Sequence, residues 1–132
     1  TTQFMPSTKK IIIIDDDAII RKMYGQKFAM QAGWQALTAR DGREGLEIIK
    51  HNAPNLILLD IMMPKQDGFD VLKKIKKDKA LKNIPVVMLT NLADNEDKAE
   101  ALKRGAKDYL VKANHTPQQV CELVKRFVSC MQ

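Results

Sequence analysis

Three runs of consecutive apolar residues constrain this chain more than anything else in it. They are "KKIIIID" (9–15), "NLILLD" (55–60) and "IPVVMLT" (84–90). Each holds only four or five adjacent apolar residues and ends on an oxygen-bearing side chain. A bilayer span needs about 20, so no membrane crossing is expected. None alternates as a strand with one wet face does. Short continuous runs suit strands buried on both faces of a parallel sheet. "WQALTA" (34–39) and "AKDYLVK" (106–112) are more mixed, as edge strands are.

Helical patterns fill the intervals. The first is expected from about Ala18 to Ala32, stopping at Gly33 as a C′ residue. The second runs from about Asp41 to His51 with Leu46 and Ile49 inward and Pro54 beyond. A third spans about Phe69 to Asp78, with Leu72 and Ile75 on one face. The fourth, about Asn95 to Arg104, opens with Glu96 and Asp97, favourable at a helix N-terminus, and ends at Gly105. Ala99, Ala101 and Leu102 are nearly all it can bury, which predicts a mobile helix. The last runs from Pro117 to about Cys130, with Thr116 as N-cap and a stripe of Val120, Leu123, Val124, Phe127, Val128 and Met131.

Five strands alternating with five helices predict an α/β fold, a doubly wound (βα)5 sandwich. Central strands one, three and four and edge strands two and five give a five-stranded parallel sheet of order 2-1-3-4-5, which is flavodoxin-like. The 132 residues form one domain, with 45% hydrophobic and 29% charged residues as in ordinary globular chains. The opening "TTQFMPST" is polar, so residues 1–8 are expected to be a flexible tail rather than a signal peptide.

Cys121 and Cys130 share one helical pattern on nearly opposite faces, too far apart to bridge. Free thiols point to a reducing, cytoplasmic setting. The net charge of +6 comes largely from the run Lys73, Lys74, Lys76, Lys77, Lys79 and Lys82. That run reads as a solvated face or as a docking surface for an acidic partner. No recognition-helix or zinc-ligand pattern accompanies it, so direct nucleic-acid binding is not expected.

In open parallel sheets, chemistry gathers beyond the carboxyl ends of the strands. Those ends carry Asp15 and Asp16 after strand one, Asp60 after strand three, Thr90 closing strand four and Lys112 closing strand five. Adjacent carboxylates repel, so a fold that gathers them usually has a cation, a shared proton or a phosphate to manage the charge. Mg²⁺ suits one or two carboxylates with phosphate oxygens and water. Asp16 and Asp60 can supply them, with Asp15 acting directly or through water. Thr90 can donate to a phosphoryl oxygen and Lys112 can pair with another, which is the positioning that phosphoryl transfer requires.

With "IIIIDDDAIIR", "LILLDIMMPKQDG", "PVVMLTN" and "GAKDYLVK" in this order and spacing, the chain resembles the response-regulator receiver family of two-component signalling. The resemblance covers about Lys9 to Met131, giving a receiver domain over residues 9–132. It implies that Asp60 is the phosphoacceptor for a histidine kinase or histidine phosphotransfer protein. It further implies that Asp15, Asp16, Asp60 and the backbone carbonyl of Met62 hold Mg²⁺. Lys112 would be the family's lysine, Thr90 the switch hydroxyl and Tyr109 the aromatic switch. The surface of helix four, strand five and helix five would change partners, acting on a downstream target or output domain and leaving room for a homodimer. The protein would be a signalling phosphoacceptor, with at most self-phosphorylation and self-dephosphorylation, rather than an enzyme on an external substrate.

Two features depart from the family pattern. Ala113 replaces the proline that usually follows the lysine, so the Lys112–Ala113 bond is either trans or strained. Asn91 is larger than the usual small neighbour of the switch hydroxyl. Two rivals also stand. One is a haloacid-dehalogenase-like phosphatase with Asp15 as nucleophile and Asp17 as acid, which lacks a later acidic pair and leaves Asp60 unexplained. The other is a phosphorylation-independent interaction module of receiver fold. Asp17 reads otherwise as a helix cap, Gly68 as a turn residue with an unusual backbone angle, and Met62–Met63–Pro64 as loop anchoring and core packing.

Overall fold

The computed structural model describes residues 8–64 and 66–129. The expected tail at 1–8 falls outside them except for Thr8, as do Lys65, Cys130 and Met131. The strands are β1 (Lys9–Ile14), β2 (Trp34–Ala39), β3 (Leu56–Leu59), β4 (Val86–Thr90) and β5 (Asp108–Val111). The helices are α1 (Ala18–Ala29), α2 (Gly42–Asn52), α3 (Gly68–Lys77), α4 (Asn95–Lys103) and α5 (Pro117–Ser129). The strands form one sheet in the order β2-β1-β3-β4-β5, and each pair is parallel.

Continuous apolar runs are required because the sheet has two buried faces. Ile12, Ile14, Ile57, Leu59, Val86 and Met88 face the cluster that holds Ile49 of α2, Val71, Leu72 and Ile75 of α3, and Ala101 of α4. Ile11, Ile13, Leu56, Leu58, Val87 and Leu89 face Tyr24 and Phe28 of α1 and Val120, Cys121, Val124 and Val128 of α5. The alternation of period two survives in direction while hydrophobicity stays constant.

Aspartates start four of the helices. The carboxylates of Asp17, Asp41, Asp67 and Asp94 accept backbone N–H bonds in the first turns of α1 to α4. For α5, Gln119 N–H donates to Thr116 Oγ1 at 3.1 Å and Thr116 N–H donates back to Gln119 Oε1 at 2.9 Å. That reciprocal capping box was written in the sequence as T-P-Q-Q.

Several expectations need correction. α1 ends at Ala29, because Gln31 N–H turns back to the Phe28 carbonyl and tightens the exit. Gly33 is therefore no helix C′ residue; with φ 81 it makes the turn into β2. Gly68 does not serve an unusual φ. It is the first residue of α3, and a Cβ there would stand 2.3 Å from the Asp60 carbonyl oxygen, so the need is for close approach. On α4 only Ala101 is buried, and Leu102 is 41% exposed. Lys76 does not share the solvated lysine face: its Nζ donates to the carbonyls of Lys82 (3.0 Å) and Ile84 (3.4 Å).

Candidate functional site

Parallel pairing brings the strand ends to one edge. Ile14 of β1 stands opposite Leu59 of β3, so Asp15 and Asp60 leave the sheet side by side. Leu59 is in turn opposite Met88 of β4, two residues before Thr90, and Thr90 is opposite Val111 of β5, one residue before Lys112. Carboxylate oxygens of Asp15, Asp16 and Asp60 all lie within 4.8 Å of one another. Asp15 is 2% exposed, Asp60 6% and Thr90 not at all, whereas Asp16 is open to solvent.

Lys112 reaches into this cluster. Its Nζ is 2.6 Å from Asp15 Oδ2 and 3.5 Å from Asp60 Oδ2. Burial alone would weaken the ammonium, but the hydrogen bond to Asp15 and the charge of Asp60 outweigh it and raise the Lys112 pKa. The partner carboxyl moves up as well. Burial pushes Asp15 above its usual range more than Lys112 and the Asp17 N–H pull it down, and the charge of Asp60 adds to the rise. The Lys112–Ala113 peptide is trans, since no cis bond occurs among the described residues.

Every polar atom of Asp15 is engaged. Its N–H donates to the Ala39 carbonyl (3.1 Å), and Oδ1 accepts from Asp17 N–H (2.9 Å). Oδ2 takes Lys112, and the main-chain carbonyl accepts from Arg21 Nη1 at 2.9 Å. Asp17 caps α1 through Ile19 and Ile20 and remains exposed, so it is not aimed at the cluster as an acid. Met62 N–H donates to Asp60 Oδ1 at 3.4 Å, and its side chain stands largely in solvent.

Thr90 and Tyr109 meet at one residue. Leu92 N–H donates to Thr90 Oγ1 (3.3 Å), and Tyr109 Oη donates to the Leu92 carbonyl (2.6 Å). Tyr109 is 5% exposed, already turned inward. Sequence reasoning missed Arg21 and the main-chain role of Leu92. Leu92 carries no signal beyond its position two after Thr90. Arg21 does carry one: α1 has no acidic residue in its first turn, where acids are favoured, and a cation stands just beyond it.

Residues 11–125 match the model of the response regulator receiver domain. The chain belongs to that family. The "Probable transcriptional regulator ycf27" of Porphyridium aerugineum is 41% identical over 104 residues, 79% of this chain and 42% of the relative. The "DNA-binding dual master transcriptional regulator RpaA" of Synechocystis is 39% identical over 117 residues, 89% of this chain and 46% of the relative. This receiver thus spans about half the length of the curated relatives it matches.

Among solved structures, the Francisella response regulator 1452 receiver domain superposes with a TM-score of 0.85 at 33% identity, covering 94% of this chain and 99% of that one. Vibrio cholerae chemotaxis protein CheY4 gives 0.83 at 30%, covering 92% and 99%. The chain is a two-component receiver domain, a signalling protein, and neither rival reading is favoured.

Receiver domains generally use Mg²⁺, and the donor set here fits a hard divalent ion. Three carboxylates gather with a single ammonium, which pairs with two of them, and all the candidate ligand atoms are oxygen. No helix among the described residues is long and apolar enough to cross a membrane.

Proposed function

We propose that Asp60 accepts a phosphoryl group from a phosphohistidine of a histidine kinase or phosphotransfer protein. The observation that carries this reading is the placement of Asp60: nearly buried, within 4.8 Å of Asp15 and Asp16 oxygens, and 3.5 Å from the Lys112 ammonium. An Asp60 oxygen forms the new P–O bond as the donor's P–N bond breaks, and the departing imidazole takes up a proton. Lys112 then pairs with a phosphoryl oxygen, and Thr90 donates a hydrogen bond from its hydroxyl to another. Mg²⁺ held by Asp15, Asp16, Asp60 and the Met62 carbonyl supplies charge neutralisation at the transferring group.

As Thr90 turns to the phosphoryl group, its Oγ1 draws away from Leu92 N–H. The β4–α4 loop, gripped by Tyr109 at the Leu92 carbonyl, therefore relaxes to a new arrangement. The acyl phosphate shifts the population between two forms of the α4–β5–α5 surface. That surface acts on an output domain or a separate protein target, or forms a homodimer; the receiver itself makes no direct nucleic-acid contact. The setting is cytoplasmic, and small phosphodonors support self-phosphorylation.

Incubation with acetyl phosphate and Mg²⁺, read by intact mass, tests the reading. A single phosphoryl adduct is expected on the wild type and none on Asp60→Asn. An adduct retained by the Asn variant would overturn it.

A further inference from the structure

The metal cradle includes a residue that touches no carboxylate. Asp16 has the most exposed of the three carboxylates, and no hydrogen bond or ion pair to its side chain occurs among the described residues. Its direction must come from the main chain, and the peptide that sets it joins the Asp15 carbonyl to the Asp16 nitrogen. Arg21 Nη1 donates to that carbonyl at 2.9 Å, from one turn into α1, with the guanidinium partly buried. The other end of the Asp15 unit is pinned by the sheet through Ala39. Asp17, on the far side of Asp16, is pinned as the cap of α1 and by its N–H bond to Asp15 Oδ1.

We propose that Arg21 is a positioning residue for the metal site: it locks the Asp15–Asp16 peptide so that the Asp16 carboxylate stands beside that of Asp60 before the ion arrives. The inference rests on the reading of Asp16 and Asp60 as metal carboxylates. Arg21 does not work here as a charge. No ion pair joins it to a carboxylate among the described residues. A cation near a Mg²⁺ site would in any case weaken binding, so its removal on charge grounds alone should tighten it. Loss of positioning predicts the opposite sign. Residues that orient metal ligands cost about 10–100-fold in affinity when removed.

The test is calorimetric titration of the full chain with MgCl₂, without phosphodonor. Arg21→Met keeps the apolar stem and removes the donors, and should bind about ten-fold more weakly. Arg21→Lys restores one donor and should recover most of the loss. Urea denaturation in EDTA checks that both variants are folded. A second measurement needs no variant: the Asp16 amide of the metal-free wild type should show a backbone order parameter near ~0.85, as in rigid structure.

Wild-type or tighter binding by Arg21→Met overturns the proposal, as does an Asp16 order parameter below ~0.6. Equal weakening in the Met and Lys variants does so too, because it marks a packing role. Asp16→Asn separates the two levels. If it leaves Mg²⁺ affinity unchanged, the metal reading has failed; if it weakens binding while Arg21→Met does not, only the role of Arg21 has.

Discussion

Gly68→Ala is the smallest change that should disturb both fold and site. The added methyl carbon would lie 2.3 Å from the Asp60 carbonyl oxygen, 2.7 Å from Ile61 Cα and 2.9 Å from the Asp60 carbonyl carbon. All three are main-chain atoms, so no side chain can swing away. Restoring ordinary contact requires α3 and the Asp60–Ile61 segment to part by about 1 Å. Overpacking of this kind costs about 1–3 kcal/mol. The same movement stretches the bond from Gly68 N–H to the Ile61 carbonyl, now 2.8 Å, worth about 1 kcal/mol.

The expected loss is therefore about 2–4 kcal/mol in urea denaturation followed by far-UV circular dichroism. Because Asp60 itself is displaced, phosphorylation by acetyl phosphate should slow by about 100-fold. Gly33→Ala is the matched control. Gly33 has φ 81 and open space around it, so the substitution costs backbone strain of about 1 kcal/mol and leaves the phosphorylation rate unchanged. Wild-type stability and rate in Gly68→Ala would refute the argument from close approach.

Three further outcomes follow from the same geometry. Burial raises the Asp15 pKa, so the folded protein holds that proton more tightly than the unfolded chain; this contribution to stability is full below the usual carboxylate value of 3.8 and is lost as pH rises through the folded value. Asp15→Asn has no charge to bury beside Asp60, and Lys112 keeps Asp60 as a partner, so the variant should gain on metal-free wild type as pH rises toward neutral; urea midpoints across pH would count against this if the gap between the two were flat. Cys121 is buried, and burial pushes its thiol up to about 11, so in a Cys130→Ser background it should resist DTNB at pH ~8 until urea is added; prompt labelling of folded protein would contradict that. Amides of α4, where only Ala101 is buried, should exchange faster than those of β1 and β3 by orders of magnitude, and equal protection would remove the case for a mobile α4.

The sheet was legible because its strands are buried on both faces, and only unbroken apolar runs satisfy that. "IIIID" and "LILLD" gave strand, central position and the carboxylate at the carboxyl end together. Boundaries moved by a residue or two for a related reason: Asp15 and Asp60 are the first residues past the ladder, held by side-chain bonds that carry no periodicity. The end of α1 was misjudged because Met30, Gln31 and Ala32 are all tolerable in a helix, and the turn that excludes them depends on where β2 must begin. The site residues were legible through the topology, since parallel order brings the strand ends to one rim. Arg21 and the true roles of Leu92 and Gly68 were not, because each acts on the main chain of a segment distant in sequence or across a turn. Hydrophobic pattern does not record such contacts.

The central claim is that the rim chemistry falls on the carboxylate at the end of β3. Borohydride reduction after phosphorylation converts an acyl phosphate on aspartate to homoserine, and peptide mass mapping then locates it. Homoserine at position 60 alone is the expected result. Homoserine at position 15 or 16 would contradict the account and return the chemistry to the end of β1.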